Sequence, residues 1–180
     1  ETPRRPGAPR ELVARLAADK AHAGLAAAPE AELVVLAADT IVALGDEVLG
    51  KPVDADDARR MLRLLSGSQH QVLTAVAVAV RSGGSVPPAG SHEVALGPAA
   101  SLAVEVEVTV VHMESWSDEE IDRYVASGAP MDKAGSYAIQ EVGDTKVRGY
   151  EGSFDNVVGL PLELTRRMLA DVGVVQPPEA

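Results

Sequence analysis

Asp39 ends a run in which Leu33, Val34, Val35, Leu36, Ala37 and Ala38 could all lie inside a sheet. An ionised carboxylate there is costly unless something nearby requires it. Thr40 follows, and Gly45-Asp46 is a turn signal. A turn of two or three residues would bring Lys51 within about one position of Asp39 and Thr40 across the ladder. Lys20 lies i+4 from Leu16 on a helical stripe, either as a lysine snorkelling at its edge or as a cation aimed into a cleft. Further on, "GAPMDKAGSYAIQEVG" is too polar and too rich in small residues for ordinary core, and it supplies Asp132, Lys133 and Gln140. Glu1 completes the set. Carboxylates with lysines, and no His or Cys cluster, suit a hard divalent cation and a phosphate substrate. Hydrolysis of a phosphate ester asks for a metal, cations to offset developing charge, and a carboxylate to take a proton from water.

Other reactive side chains fall in weaker patterns. His22, His70, His92 and His112 have no ligand spacing and read as structural or solvated. Ser66, Ser68 and Ser136 lie in no nucleophile elbow, and the glycine-rich stretches match neither a Walker loop nor a dinucleotide fingerprint.

The elements that must position these residues follow from periodicity and punctuation. Pro9 to about Ala27 reads as a helix with Leu12, Val13, Leu16 and Ala17 on its apolar stripe. Leu33 to Leu44 reads as a strand, with a short return strand through Leu49 that Pro52 stops. Asp54 caps a helix whose apolar side is Ala58, Met61, Leu62 and Leu65, closed by Gly67. Val72 to Val80 and Leu102 to His112 are strands, separated by a Gly- and Pro-rich excursion from Ser82 to Ala100. Ser117 with Glu120 is a capping box, Ile121, Tyr124 and Val125 form the buried stripe, and Gly128 ends that helix. Thr145 to Tyr150 reads as a strand, "GSFDNVVGLP" as a loop, and Pro161 opens a last helix to about Asp171.

Composition bounds the rest. The 180 residues and 46% hydrophobic content support a single domain, residues 1–180, with room for two lobes, and 3% aromatic content leaves its core to Ala, Val and Leu. A formal net charge of −11 argues against broad contact with nucleic acid or an anionic membrane. No apolar run approaches the roughly 20 residues of a membrane helix. The absence of cysteine fits a reducing compartment, and a cytoplasmic location is the expectation. Irregular alternation of strands and helices, with polar exceptions at element ends, points to an α/β (mixed α+β) enzyme: a twisted mixed sheet flanked by helices, with two lobes around a cleft.

Four blocks in order, "AADTIVALGDEVLGKP", "DADDARRMLRLLSG", "SDEEIDRYVASGAPMDKAGSYAIQ" and "GSFDNVVGLPL", resemble the Maf family of nucleoside triphosphate pyrophosphatases. The resemblance covers nearly the whole chain and implies a Maf/ITPase-like fold. It also implies cleavage of a nucleoside triphosphate to monophosphate and pyrophosphate, with Mg2+ or Mn2+ as cofactor and a homodimer as the assembly. By that resemblance Asp39 is the proton acceptor for the attacking water, and Lys20 and Lys51 face the triphosphate. Glu1 joins Asp39 as metal ligand. Thr40 and Gln140, with Lys133 beside them, set substrate choice in the manner of the branch acting on dTTP and UTP. The family's association with septum formation offers a second reading, a nucleotide-binding regulator with little catalysis. Family members open with a strand and a Ser-x-Ser-Pro-Arg-Arg loop, so a preceding segment is expected here. Ser68 stands where arginine is common and Ala138 where glycine is common, and the Ser91 to Ala100 region is longer than usual.

Overall fold

A computed structural model describes residues 8–28, 32–81, 94–95, 100–140 and 146–175. Glu1, Thr145 and nearly all of the Ser82 to Ala100 excursion lie outside the described residues. Helix α1 spans Ala8–Ala27. Strand β1 is Leu33–Leu44 and β2 is Glu47–Leu49, joined by Gly45-Asp46 with Gly45 at φ +60. Helix α2 is Ala55–Leu65, and its cap is the expected one: the Asp54 carboxylate accepts from Asp57 N at 2.8 Å. Strands β3 (Gln69–Arg81), β4 (Val94–Ala95) and β5 (Ala100–Met113) follow. Helix α3, Asp118–Ala126, starts with the predicted capping box of Ser117 and Glu120. Two short 3-10 turns, Ala129–Asp132 and Ala134–Ser136, lead to β6 at Val147–Glu151. Helix α4 is Phe154–Val158 and α5 is Leu162–Asp171.

The sheet runs β2-β1-β3-β5-β4, with β6 on the same edge of β5 as β4. The α/β class with flanking helices is as expected. Its strand directions differ from a mixed sheet, since every ladder among the described residues is antiparallel. The connections explain this: β1 ends beside the start of β3, and β3 ends beside the start of β5, so Ala43 pairs with Gln71 and Arg81 with Ala100.

Side-chain alternation on β3 sorts the core into three parts. Leu73, Ala75, Ala77 and Ala79 face α1, which buries Pro9, Val13, Ala17, Ala21 and Leu25 against the sheet. The buried row is thus turned from the expected Leu12 and Leu16, which are half-buried. Small residues on both surfaces permit close approach, and a Cβ added at Gly24 would lie 2.7 Å from Val35 Cγ1. On the opposite face, Val72 packs with α2 and α3, while Val76 and Val78 pack with Leu164 and Met168 of α5. These are the two lobes. Between them on β3 lies Thr74, 0% exposed.

His70, on the same face, is 2% exposed, and its Nε2 lies 2.7 Å from Tyr137 Oη with the rings edge-to-face. That contact ties the segment after the 3-10 turns to the central strand. Burial first, and the charge of His112 second, hold the His70 pKa down at about 4 against an ordinary 6.5. Between those values the unfolded chain binds a proton that the folded protein refuses, so stability falls as pH drops from 6.5 toward 4, by roughly 3 kcal/mol in all. Glu120, lowered to about 2 chiefly by Lys146, loses its contribution only below its ordinary 4.5. Urea midpoints measured from pH 7.5 to 4.5 should therefore fall steadily, and His70→Gln, which keeps a partner for Tyr137, should flatten the slope. A flat parent profile would contradict this reading.

Candidate active site

Asp39 has the parity of Ala37 and Ile41 and pairs with Ala75, so its side chain leaves the sheet on the α1 face. Lys20, on the shoulder of the buried row of α1, reaches it: Nζ binds Asp39 Oδ1 and donates to Ala38 O at 3.1 Å. The lysine thus lies along the sheet surface with its ammonium on Asp39, while more than half of its side chain stays exposed. Asp39 is 18% exposed and Lys20 56%, so water reaches the pair and screens it.

Lys51 behaves differently from expectation. Register extended from Val42↔Leu49 would set it opposite Thr40, yet β2 ends at Leu49 and the Gly50 carbonyl instead accepts from Gly135 N at 3.0 Å. Pairing stops because the 3-10 segment takes over that acceptor. Among the described residues no hydrogen bond or ion pair joins Lys51 to Asp39 or Thr40. Its charge acts on Asp132, whose pKa is lowered first by the Lys133 hydrogen bond at 2.8 Å and to a smaller extent by Lys51. Lys133 Nζ also donates to Ala129 O at 2.7 Å. Lys51, Asp132 and Lys133 thus form a second charged group, apart from Asp39 and Lys20.

The segment carrying Lys133 and Gln140 is tightly held. Gly135 has φ +70, and a Cβ there would lie 3.0 Å from Val42 Cγ2. Ser136, at φ 63, is the one non-glycine in the left-handed region among the described residues, a conformation costing roughly 1–2 kcal/mol. It is fully buried, with Oγ 3.3 Å from Met61 Sδ. Gln140 follows with an exposed side chain that makes no hydrogen bond among the described residues.

The sequence reading missed a third group. "GSFDNVVGLP" is not a loop throughout: Ser153 caps α4 by accepting from Asn156 N at 3.2 Å, and Gly159 at φ +120 closes it. The signal was a serine three residues before an asparagine, obscured by the flanking glycines. Asn156 is 0% exposed and its Nδ2 donates to Val72 O at 3.0 Å and Thr109 Oγ1 at 2.8 Å. Its backbone carbonyl accepts from Thr74 Oγ1 at 2.9 Å, and Thr74 Oγ1 lies 2.9 Å from Thr40 Oγ1. A polar chain therefore runs from α4 through β3 to Thr40, on the face opposite Asp39.

Among the described residues no three of His, Asp or Glu are grouped to hold a cation, and Glu1 lies outside them. Asp39 Oδ2 makes no hydrogen bond among the described residues, and a single carboxylate oxygen is a donor suited to a hard cation that keeps most of its water.

The chain is 47% identical over 176 residues to the dTTP/UTP pyrophosphatase of Shewanella oneidensis, covering 97% of this chain and 81% of that one. It is 49% identical over 169 residues to the dTTP/UTP pyrophosphatase of Anaeromyxobacter dehalogenans, covering 94% and 77%. For that of Chromobacterium violaceum the identity is 45% over 166 residues, covering 91% and 75%. The sequence profile of the family described as Maf-like protein matches residues 1–172, and with these relatives it shows that the chain belongs to the Maf-like family.

Proposed function

We propose that this protein hydrolyses dTTP and UTP to the nucleoside monophosphate and pyrophosphate. The observation that carries the reading is the Asp39–Lys20 pair midway along an apolar strand, in a chain close to half identical to relatives named for that activity. Asp39 accepts a proton from water as the water oxygen bonds to the α-phosphorus. The bond from that phosphorus to the bridging oxygen breaks, and pyrophosphate leaves with the electron pair. Lys20, half-exposed on a flexible stem, moves from Asp39 to a phosphate oxygen when substrate arrives, which frees the carboxylate as a base and offsets charge on the departing group. Lys51 and Lys133 meet the outer phosphates.

Mg2+ or Mn2+ belongs to the same proposal and, when bound, would neutralise phosphate charge, with Asp39 and Glu1 as its carboxylate ligands. Thr40 and Gln140 read the base. The Gln140 amide offers a donor and an acceptor together, matching the adjacent carbonyl and imide N–H of uracil or thymine. A homodimer in the cytoplasm completes the reading. The contiguous apolar side chains of Tyr150, Phe154 and Val158, 39–45% exposed, offer a surface for the second copy.

Pyrophosphate release measured across a nucleotide panel with magnesium tests the reading, which requires dTTP and UTP to exceed ATP and GTP in kcat/KM. Asp39→Asn should cost about 10²- to 10⁴-fold in turnover with the fold intact by circular dichroism; a loss under about threefold would remove Asp39 from its role. Lys20→Ala and Lys51→Ala should each lower kcat/KM well below Arg63→Ala, whose guanidinium is spent on Asp118 at 2.7 Å. Gln140→Leu should narrow the pyrimidine preference mainly by slowing the pyrimidine reactions, and a full preference in that variant would take base reading away from Gln140.

A further inference from the structure

Small residues let α1 lie close on the sheet: Ala17 and Ala21, on either side of Lys20 in the sequence, are both 0% exposed. From that position the long methylene stem of Lys20 reaches β1. Strand β2 pairs only with Val42, Ala43 and Leu44, so among the described residues β1 has no outer neighbour alongside Ala38 and Asp39. The ammonium fills part of that gap. Lys20 Nζ donates to the Ala38 carbonyl at 3.1 Å and binds Asp39 Oδ1. A positive charge is thus held between a carboxylate oxygen and a backbone carbonyl oxygen, the two kinds of ligand that a hard divalent cation gathers from a protein. Ammonium and cation cannot share them, because the nitrogen occupies the space between the oxygens and like charges at contact distance repel. With Lys20 in place, Oδ2 is the one oxygen of Asp39 that makes no hydrogen bond among the described residues. With Lys20 withdrawn, Oδ1, Oδ2 and the Ala38 carbonyl are all open.

We propose that the Lys20 ammonium holds the place of a divalent cation at Asp39 Oδ1 and the Ala38 carbonyl, so that cation and triphosphate bind together. A phosphate draws the lysine off, and both oxygens pass to the metal. The proposal rests on the assignment of Mg2+ or Mn2+ to Asp39 under the proposed function. It deepens that assignment by adding the Ala38 carbonyl as a ligand and Lys20 as the positioning residue that ties metal entry to substrate. Such coupling is reciprocal, so removing the lysine's charge must raise metal affinity even without nucleotide. A single charge beside a double one, screened by water at a side chain 56% exposed, sets the expected gain at roughly tenfold.

The experiment measures binding of Mn2+ alone, by the electron paramagnetic resonance signal of the unbound ion, with no nucleotide present. Lys20→Met keeps the length of the stem and loses the charge, and it should bind Mn2+ roughly tenfold more tightly than the parent. Lys20→Arg keeps the charge and should show no gain. Asp39→Asn added to Lys20→Met should abolish the gain, which separates this site from Mn2+ held elsewhere on a protein of net charge −11. Lys20→Gln is read in the same way if the methionine variant does not fold. A neutral Lys20 variant that binds Mn2+ within twofold of the parent overturns the proposal. So does a gain that survives Asp39→Asn, or an equal gain in Lys20→Arg. Turnover plays no part in the measurement, so a protein inactive on dTTP and UTP can still show the gain and an active one can lack it; the two readings fail separately.

Discussion

The pairing of β1 with β3, in register from Leu33↔Arg81 to Ala43↔Gln71, decides what each residue of the site can do. Neighbours along a strand leave the sheet on opposite faces, so a slip of one residue would put Asp39 beside the lobe helices and Thr40 under α1. Three things oppose the slip. Alanines on both partners accept α1 only where they face it, and Val34 and Val80 pack toward α5 only from the other face. The hydroxyls of Thr40 and Thr74 meet only when the two residues are directly opposed. Register, helix packing and the polar chain therefore support one another.

This arrangement divides the proposed work between two faces of one strand. Asp39 and Lys20 lie on the α1 side, on the stretch of β1 that β2 does not pair with, and Thr40 lies between the lobes with Thr74 and Asn156 behind it. A ligand that touches both must cross the edge of β1. A nucleoside triphosphate has the length and the two-part chemistry to do so, with anionic phosphates at one end and a flat, hydrogen-bonding base at the other. The second charged group, Lys51 with Asp132 and Lys133, is carried by the segment that branches from the end of β2.

Much of the fold was legible because its signals are local. The run from Leu33 to Leu44, the Asp54 cap, the Ser117–Glu120 box and the glycine at 128 each speak for a few residues, and each was found where the sequence placed it. Long-range facts were harder. Whether Lys51 continues the ladder depends on Gly135, more than eighty residues away, taking the Gly50 carbonyl. Strand direction depends on which ends the connections join. Thr74 and Asn156 looked unremarkable in sequence, since a threonine suits a strand and an asparagine suits a loop; their meaning comes from a contact across 82 residues. Of the candidate site, Asp39 and Lys20 could each be singled out, because a charge inside an apolar pattern breaks a local rule, but the ladder pointed to Lys51 as the cation beside Asp39, and the contact with Lys20 comes from the packing of α1 on the sheet.

The charge inventory gives a further reason to place the phosphates among lysines. Arg59 is held by Asp56 and Asp122, Arg60 by Asp57 and Glu47, and Arg63 by Asp118, so the basic side chains of α2 are spent on joining that helix to its surroundings. Each such exposed pair contributes little stability, about 0–1 kcal/mol. Their effect on function is larger, because arginines tied to carboxylates offer no net positive field to an anion. Lys20 and Lys51 are exposed, and one has a single carboxylate partner while the other has no ion pair among the described residues. Lys51, without an ion pair among the described residues, can thus present local positive charge on a protein whose net charge is −11. Lysine also suits a group that must exchange partners during a reaction. Its ammonium is a compact point charge on a flexible stem, whereas the rigid fork of an arginine would hold Asp39 in a two-pronged grip that substrate would have to break.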